Sequence, residues 1–352
     1  MFKKRVGTIV IFMVFALATI VWSAGGPPNV GSDLEKLGMR LYNDKDLSFN
    51  GTQSCRNCHH HFSGFADITN HIDPYANFVS TGADGVSKGG RNAPSSAYAG
   101  FSPPLNRDSS GYIGGMFWDG RADGSTLGDP LAEQAQGPPL NPVEMAMPGK
   151  EAIIAVIAAS DYARLWNRVF GPGSLDDVDT AYDDFGRAIA AYERSADVTK
   201  FTSKFDTGTL SHTEQAGLDL FNVHCASCHS TEADLGSPAP LFTNYRYANI
   251  GVPANPGILS NTPDLGLGPV VGDSAENGKF KIPTLRNIVL TAPYSHNGVF
   301  PTLMEMLQFI NDRSGVVPDC DENLTDMVGN LGLDQNALDQ IAAFLNTLTD
   351  DY

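Results

Sequence analysis

Cys55-Arg56-Asn57-Cys58-His59 and Cys225-Ala226-Ser227-Cys228-His229 decide how this chain is read. Each is a Cys-x-x-Cys-His run, the attachment site of one c-type haem. Two thiols at this spacing add across the two vinyl groups of a porphyrin, and the next residue offers an imidazole to the iron. The two copies use four of the five cysteines. A zinc site and a redox dithiol are the competing readings. A zinc ribbon places its Cys pairs close together, whereas these lie 170 residues apart, so two covalently bound haems c are the reading carried forward.

Outward from the motifs the chain reads as helices. Leu34, Leu37, Leu41 and Tyr42 recur at helical spacing before the first motif. Ser211-His212-Thr213-Glu214 is a capping-box pattern leading through Leu218, Leu220 and Phe221 to Cys225. Both motifs are therefore expected at the end of a helix. Residues 151–159 and 182–194 read as two more helices split by Gly171-Pro172-Gly173, and 335–348 as an amphipathic helix with Asp334 as N-cap. No alternating strand pattern of useful length stands out. The chain turns polar over 199–208, and the domain boundary is placed there, giving units over 30–200 and 201–352.

The N-terminus begins Met1-Phe2-Lys3-Lys4-Arg5, continues apolar over the 17 residues from Val6 to Trp22, and leaves through Ser23-Ala24-Gly25-Gly26. That is the layout of a secretory signal over 1–24. The apolar run also reaches the lower limit for a membrane span, so an uncleaved anchor is the alternative. Either way the body is expected outside the cytoplasm, in the periplasm. Without Lys3, Lys4 and Arg5 the chain keeps 20 basic residues against 40 acidic ones, a net charge of −20. This excludes nucleic acid as a natural partner and suits the steering of a basic redox protein, although acidity also serves solubility alone.

Four further stretches add a resemblance: Gly90-Arg91-Asn92-Ala93-Pro94, Phe117-Trp118-Asp119-Gly120-Arg121, Asn141-Pro142-Val143-Glu144-Met145, and Pro283-Thr284-Leu285-Arg286-Asn287 followed by Thr291-Ala292-Pro293-Tyr294-Ser295-His296-Asn297-Gly298. With the two haem motifs, in this order, the chain resembles the bacterial dihaem cytochrome c peroxidases, a family that includes MauG-like enzymes. The resemblance implies a mainly α fold of two cytochrome-c-like helical domains joined by long loops, each holding one covalently attached haem. It implies that the N-terminal haem meets hydrogen peroxide and that the C-terminal haem passes electrons to it or stores an oxidising equivalent.

The same resemblance assigns roles. His59 and His229 are the proximal iron ligands. Glu144 is the acid–base group that moves a proton between the peroxide oxygens, Gln134 orients the peroxide, Trp118 lies between the haems, and Phe117 closes the peroxide pocket. Read without the family, Glu144 is a surface or capping residue and Trp118 a packing residue. A calcium ion between the domains would take Asn92, Thr291 and Pro293. His60 and His61 are expected to face solvent. The leftover Cys320 is either buried or paired between chains.

Two departures matter. Family members that need reductive activation carry a histidine in the loop before the Gly-Arg-Asn segment. Here the matching place falls near Asp84, and no histidine stands between His71 and His212. An N-terminal haem that is five-coordinate or water-bound is expected, with His71 the one residue able to overturn this. The family's distal Met or Tyr at the second haem falls on Ile310, which cannot ligate iron. Met304 and Met306 lie just before it and Met327 beyond; the alternatives are a thioether ligand, an open second haem, or methionines that merely fill the core.

Three functions follow: a peroxidase fed by a small cytochrome c or copper protein, a MauG-like oxidase acting on a side chain of a partner protein, or a dihaem electron-transfer cytochrome without catalysis. A homodimer fits the family. Whichever holds, the purified holoprotein is expected to carry two porphyrins per chain that acidified acetone does not extract. Replacing Cys225 and Cys228 by Ser should halve that ratio in a pyridine haemochrome assay.

Overall fold

The computed structural model describes residues 32–258 and 263–352. The expected signal or anchor over 1–24 lies outside the described residues. The described chain is mostly helical, with α1 Asp33–Asn43, α2 Cys55–Cys58, α3 Ile68–Ile72, α4 Pro130–Ala135, α5 Gly137–Leu140, α6 Lys150–Ala159, α7 Ala163–Phe170 and α8 Val178–Glu193 in its first part. The second part holds α9 Lys204–Thr207, α10 His212–His224, α11 Leu267–Val271, α12 Leu303–Asn311 and α13 Gln335–Asn346. Four strands pair antiparallel in two ladders, β1 Asn106–Asp108 with β2 Gly111–Ile113 and β3 Tyr247–Ala248 with β4 Phe280–Lys281. Strands of two or three residues are too short to print an alternation, which is why the sequence reads as strand-free.

Capping follows the sequence closely. Ser211 and Glu214 close a capping box on α10, and Asp334 accepts from the Ala337 amide at the start of α13. Cys225 is the C-cap of α10, as expected for the second motif. The first motif departs from expectation. α1 ends at Asn43, because the Asp44 carboxylate accepts from the Asp46 amide and opens a separate 3-10 turn. Cys55 instead begins its own short helix, with Ser54 and Asn57 closing a capping box. α7 is also unforeseen; it fills the space between the two expected helices and buries Trp166.

Two cores form around two helix crossings. In the first, Leu37, Leu41 and Tyr42 of α1 pack on Tyr182, Phe185 and Ile189 of α8. In the second, Phe221 of α10 packs with Leu338, Ile341 and Phe344 of α13. Burying each such side chain contributes about 1.5–3 kcal/mol. The chain passes from one core to the other at 201–205, where Phe201 packs on the first and Phe205 on the second. The passage is not clean, because Leu241, Tyr245 and Tyr352 return to the first core. Arg286, with no exposed surface, ties the cores together. Its guanidinium makes two 2.8 Å bonds to the Asp206 carboxylate and lies 4.5 Å from the Phe201 ring and 5.8 Å from that of Phe242.

The two crossings share one device. A Cβ on Gly38 of α1 would stand 1.9 Å from the Ala188 carbonyl oxygen of α8, and a Cβ on Gly217 of α10 would stand 2.0 Å from that of Gln340 on α13. Both contacts are with backbone, which cannot swing aside. Gly38→Ala and Gly217→Ala are each expected to destabilise the protein by about 1–3 kcal/mol through overpacking. Denaturant unfolding checks this; a change below about 0.5 kcal/mol would show that the helix pairs can slide apart freely.

Candidate haem and peroxide sites

The two motif histidines are held alike. His59 Nδ1 lies 3.1 Å from the Phe65 carbonyl oxygen, and His229 Nδ1 lies 2.8 Å from that of Phe242. These contacts place the proton on Nδ1 and turn Nε2 outward as the metal-facing atom. Both phenylalanines have positive φ, +61° at Phe65 and +52° at Phe242, which aims each carbonyl back at its histidine. Burial pushes both imidazoles below their ordinary range, His229 to about 4, so the neutral form that binds iron is the one present. Burial pushes the four motif thiols up, Cys58 and Cys225 to about 12. Reactive redox dithiols have lowered thiol pKa values, so this environment opposes the dithiol reading.

A cavity of about 290 Å³ lies beside Cys225, Cys228 and His229 and runs to the segment Met116–Trp118. Its far wall carries Leu303, Met306, Leu307 and Ile310 of α12. Met306 thus faces the space that a haem on the second motif would need. Met304 does not line it; its sulfur lies 3.5 Å from Gln335 Nε2, and its side chain packs on the second core. Met327 lines the cavity although it is 54% exposed.

A second cavity, of about 300 Å³, is lined by Phe117, Arg121, Gln136, Pro138, Asn141 and Glu144 among others. Glu144 stands on the turn after α5, where its amide donates to the Asn141 carbonyl. Asn141 Nδ2 donates to Glu144 Oε1 at 2.7 Å. Burial raises the Glu144 pKa above the usual carboxylate range, against the pull of the Arg121 charge and the Asn141 bond. Arg121 also lies over the Phe117 ring, 3.7 Å from its centroid. Phe117, at φ +61°, lines both cavities. Trp118 lines the cavity beside His229 and donates from Nε1 to the Asn92 carbonyl at 2.8 Å.

Gln134 sits half-buried on α4 and is not among the residues lining the Glu144 cavity; Glu133 and Gln136 are. Gln136 Nε2 bonds the Tyr182 carbonyl and the Asp183 carboxylate at 2.9 Å each. The long loop before α4 is gathered by Glu133, whose carboxylate accepts from the amides of Gly124, Thr126 and Leu127. Asp84 is exposed and caps its own turn through the amides of Val86 and Ser87. Its loop is tied to the Glu144 turn by the Ala83 amide, which donates to the Glu144 carbonyl at 2.7 Å. No histidine lines the Glu144 cavity, and His71 on α3 lines neither cavity.

Asn92, Thr291 and Pro293 do come together. Asn92 Nδ2 donates to the Pro293 carbonyl at 2.7 Å, and all three line the cavity beside His229. Neutral amide and backbone carbonyl oxygens such as these are of the type a hard cation accepts, and here the Pro293 carbonyl accepts from Asn92. His60 and His61 are half-buried rather than fully exposed, because their rings stack at 4.4 Å. Cys320 is buried and free. Reading the residues as a sequence missed Arg121, Asn141 and Gln136. The first two were inside quoted motifs, and only the fold places them against Glu144.

Comparison with known proteins agrees with this arrangement. A family model described as di-haem cytochrome c peroxidase matches residues 32–215. The methylamine utilization protein MauG of Paracoccus denitrificans is 37% identical over 350 residues, covering 90% of this chain and 88% of that protein. Cytochrome c551 peroxidase of Nitrosomonas europaea is 31% identical over 327 residues, covering 91% and 81%. Among solved structures, the diheme peroxidase BthA from Burkholderia thailandensis superposes with a TM-score of 0.79 at 27% identity, covering 90% of this chain and 86% of that one. The four motif cysteines and two anchored imidazoles fit the two c-type haems that such proteins imply, and the chain belongs to the dihaem cytochrome c peroxidase and MauG family.

Proposed function

We propose that this protein is a periplasmic peroxidase that reduces hydrogen peroxide to two waters, consuming two protons and two electrons. Its electrons come from a small cytochrome c or copper protein and pass from the C-terminal half to the N-terminal half. Cys55, Cys58 and His59 would hold a haem, which would supply the redox chemistry that peroxide reduction needs. The observation that carries the reading is Glu144, a half-buried carboxylate with a raised pKa lining a cavity of about 300 Å³.

In this reading Glu144 takes the proton from one peroxide oxygen and returns it to the departing one. Asn141, bonded to Oε1, fixes the carboxylate and leaves Oε2 as the proton-carrying atom. Arg121 steadies the carboxylate form between transfers, and its contact with Phe117 makes one wall of the site. Gln134 as the peroxide-orienting residue is retained from the resemblance; Gln136 is the neighbouring amide that lines the cavity. Trp118, anchored through its indole NH, stands on the cavity that also holds His229 and is placed to relay charge between the halves.

A MauG-like oxidation of a partner protein's side chain is the second reading. It is favoured by the absence of any histidine lining the Glu144 cavity and by the 37% identity to MauG. Peroxide added to the diferric protein, followed by reduced cytochrome c, separates the two. Rapid repeated oxidation of the cytochrome supports the peroxidase. A slow return to the resting spectrum with little cytochrome oxidised supports the second reading. No response to peroxide would leave only electron transfer.

Glu144→Gln is expected to slow peroxide cleavage by about 10²–10⁴-fold, the span of general acid–base catalysis; an unchanged stopped-flow rate would remove Glu144 from the chemistry. The raised pKa gives a pH test as well. A carboxyl with a raised pKa stays protonated to higher pH and cannot then accept peroxide's proton. The rate should therefore fall as pH drops through a value above the ordinary carboxylate range, and this acid limb should vanish in the Gln variant.

A further inference from the structure

Two polar side chains in the His229 cavity, half-buried Lys281 and buried His296, have no part in the scheme above. Lys281, at the end of β4, reaches across to the other half of the molecule. Its Nζ bonds Ser102 Oγ at 2.6 Å and the Gly115 carbonyl, approaches Met116 Sδ at 3.7 Å, and lies 5.1 Å from the centre of the Tyr245 ring. All of these partners are neutral, and among the described residues Lys281 makes no ion pair. His296 is 4% exposed, lies flat on Phe280 with ring centroids 3.5 Å apart, and its Nε2 has no hydrogen-bond partner. Both residues line the cavity that also holds Cys225, Cys228 and His229.

A half-buried ammonium without a counter-charge and a buried ring nitrogen without a partner are each costly. Arg286, in the same wall, has Asp206 to neutralise it; Lys281 has nothing comparable. Within this otherwise largely apolar space, the uncompensated donors call for an anionic acceptor. The anion that belongs beside a Cys-x-x-Cys-His run is carried by the porphyrin itself, which bears two propionate carboxylates on one edge. We propose that Lys281 and His296 receive the two propionates of the porphyrin attached through Cys225 and Cys228, Lys281 as an ion pair and His296 as a donor from Nε2. This rests on the reading that the second motif holds a haem, and it adds two cofactor-binding residues from β4 and the segment after Arg286.

Burial pushes Lys281 down to about 7, and His296 to about 3 against the pull of the Asp264 charge; a carboxylate adjacent to Lys281 would hold it charged. Lys281 also crosses between the halves, and its amide donates to the Trp118 carbonyl at 2.8 Å. A propionate ion-paired to it would fix the porphyrin edge relative to Trp118.

Resonance Raman spectra and spectroelectrochemical titration of holoprotein carrying Lys281→Met, Lys281→Arg or His296→Leu test this. Lys281→Met should shift the propionate-bending band and lower the midpoint potential of the C-terminal haem, since losing the cation favours the ferric state. Lys281→Arg should restore most of both, and His296→Leu should shift the propionate band again. Full haem content with unchanged bands and potentials in the Met and Leu variants would overturn the proposal. Should those variants fail to fold, a crystal structure of the wild-type holoprotein decides. Carboxylates within about 3.5 Å of Lys281 Nζ and His296 Nε2 support it, and carboxylates turned elsewhere overturn it. Wild-type protein with fewer than two porphyrins per chain would instead refute the reading beneath it.

Discussion

Two hydrogen bonds govern the rest of the structure: His59 Nδ1 to the Phe65 carbonyl and His229 Nδ1 to that of Phe242. An imidazole can ligate a metal reliably only if its tautomer and plane are fixed. Each bond requires a carbonyl to point backwards along the chain, which a right-handed or extended residue would not supply. The positive φ of both phenylalanines supplies it, at a backbone cost that the surrounding packing must offset. Phe242 is fully buried between Phe205, Phe221 and Phe344, so the second core holds the residue that holds the ligand. Phe65 is clamped by the Tyr352 ring, and its carbonyl also accepts from the Ser96 amide. Packing, ligand geometry and cofactor chemistry are thus one chain of causes in each half.

The seam between the halves is polar and specific rather than greasy. Arg286, paired with Asp206 of its own half, lies against Tyr98 of the other, Arg91 bridges Asp119 and Asp264, and Tyr98 bonds Asp350. Each pair is buried or nearly so, and breaking one would strand a charge. A seam of this kind resists sliding more than it adds stability. That property suits a molecule in which Phe117 and Trp118 must keep their places between two cavities.

How much of this was legible beforehand depends on the range of the interaction. The two motifs, the capping boxes at Ser211 and the Asp334 cap are local, and the sequence carried them in full. The first motif's separate helix was missed because a single carboxylate, Asp44, stops α1 early, and an aspartate after a helix is not a strong stop signal. The strands were missed because two-residue ladders have no period. Glu144, the proposed acid–base residue, came from the resemblance of its motif. Its partners Arg121 and Asn141 did not, since their proximity to Glu144 depends on how loops fold back. Gln134 and Gln136 show the limit most sharply: two residues apart on the chain, they differ by more than half a helical turn, and only the fold says which lines the cavity.

The two cavities also differ in what they ask of their contents. Around Glu144 the walls offer a carboxylate, an amide and a guanidinium, groups that can follow a proton and steady changing charge. Beside His229 the wall facing the space is carbon, with Ile310, Leu303 and Leu307, and its one sulfur on α12 is Met306. Such a wall offers no proton and stabilises no developing charge. A low-dielectric setting of this sort favours simple electron exchange over bond cleavage. The contrast supports the proposed division, with bond-breaking in the first half and electron supply in the second.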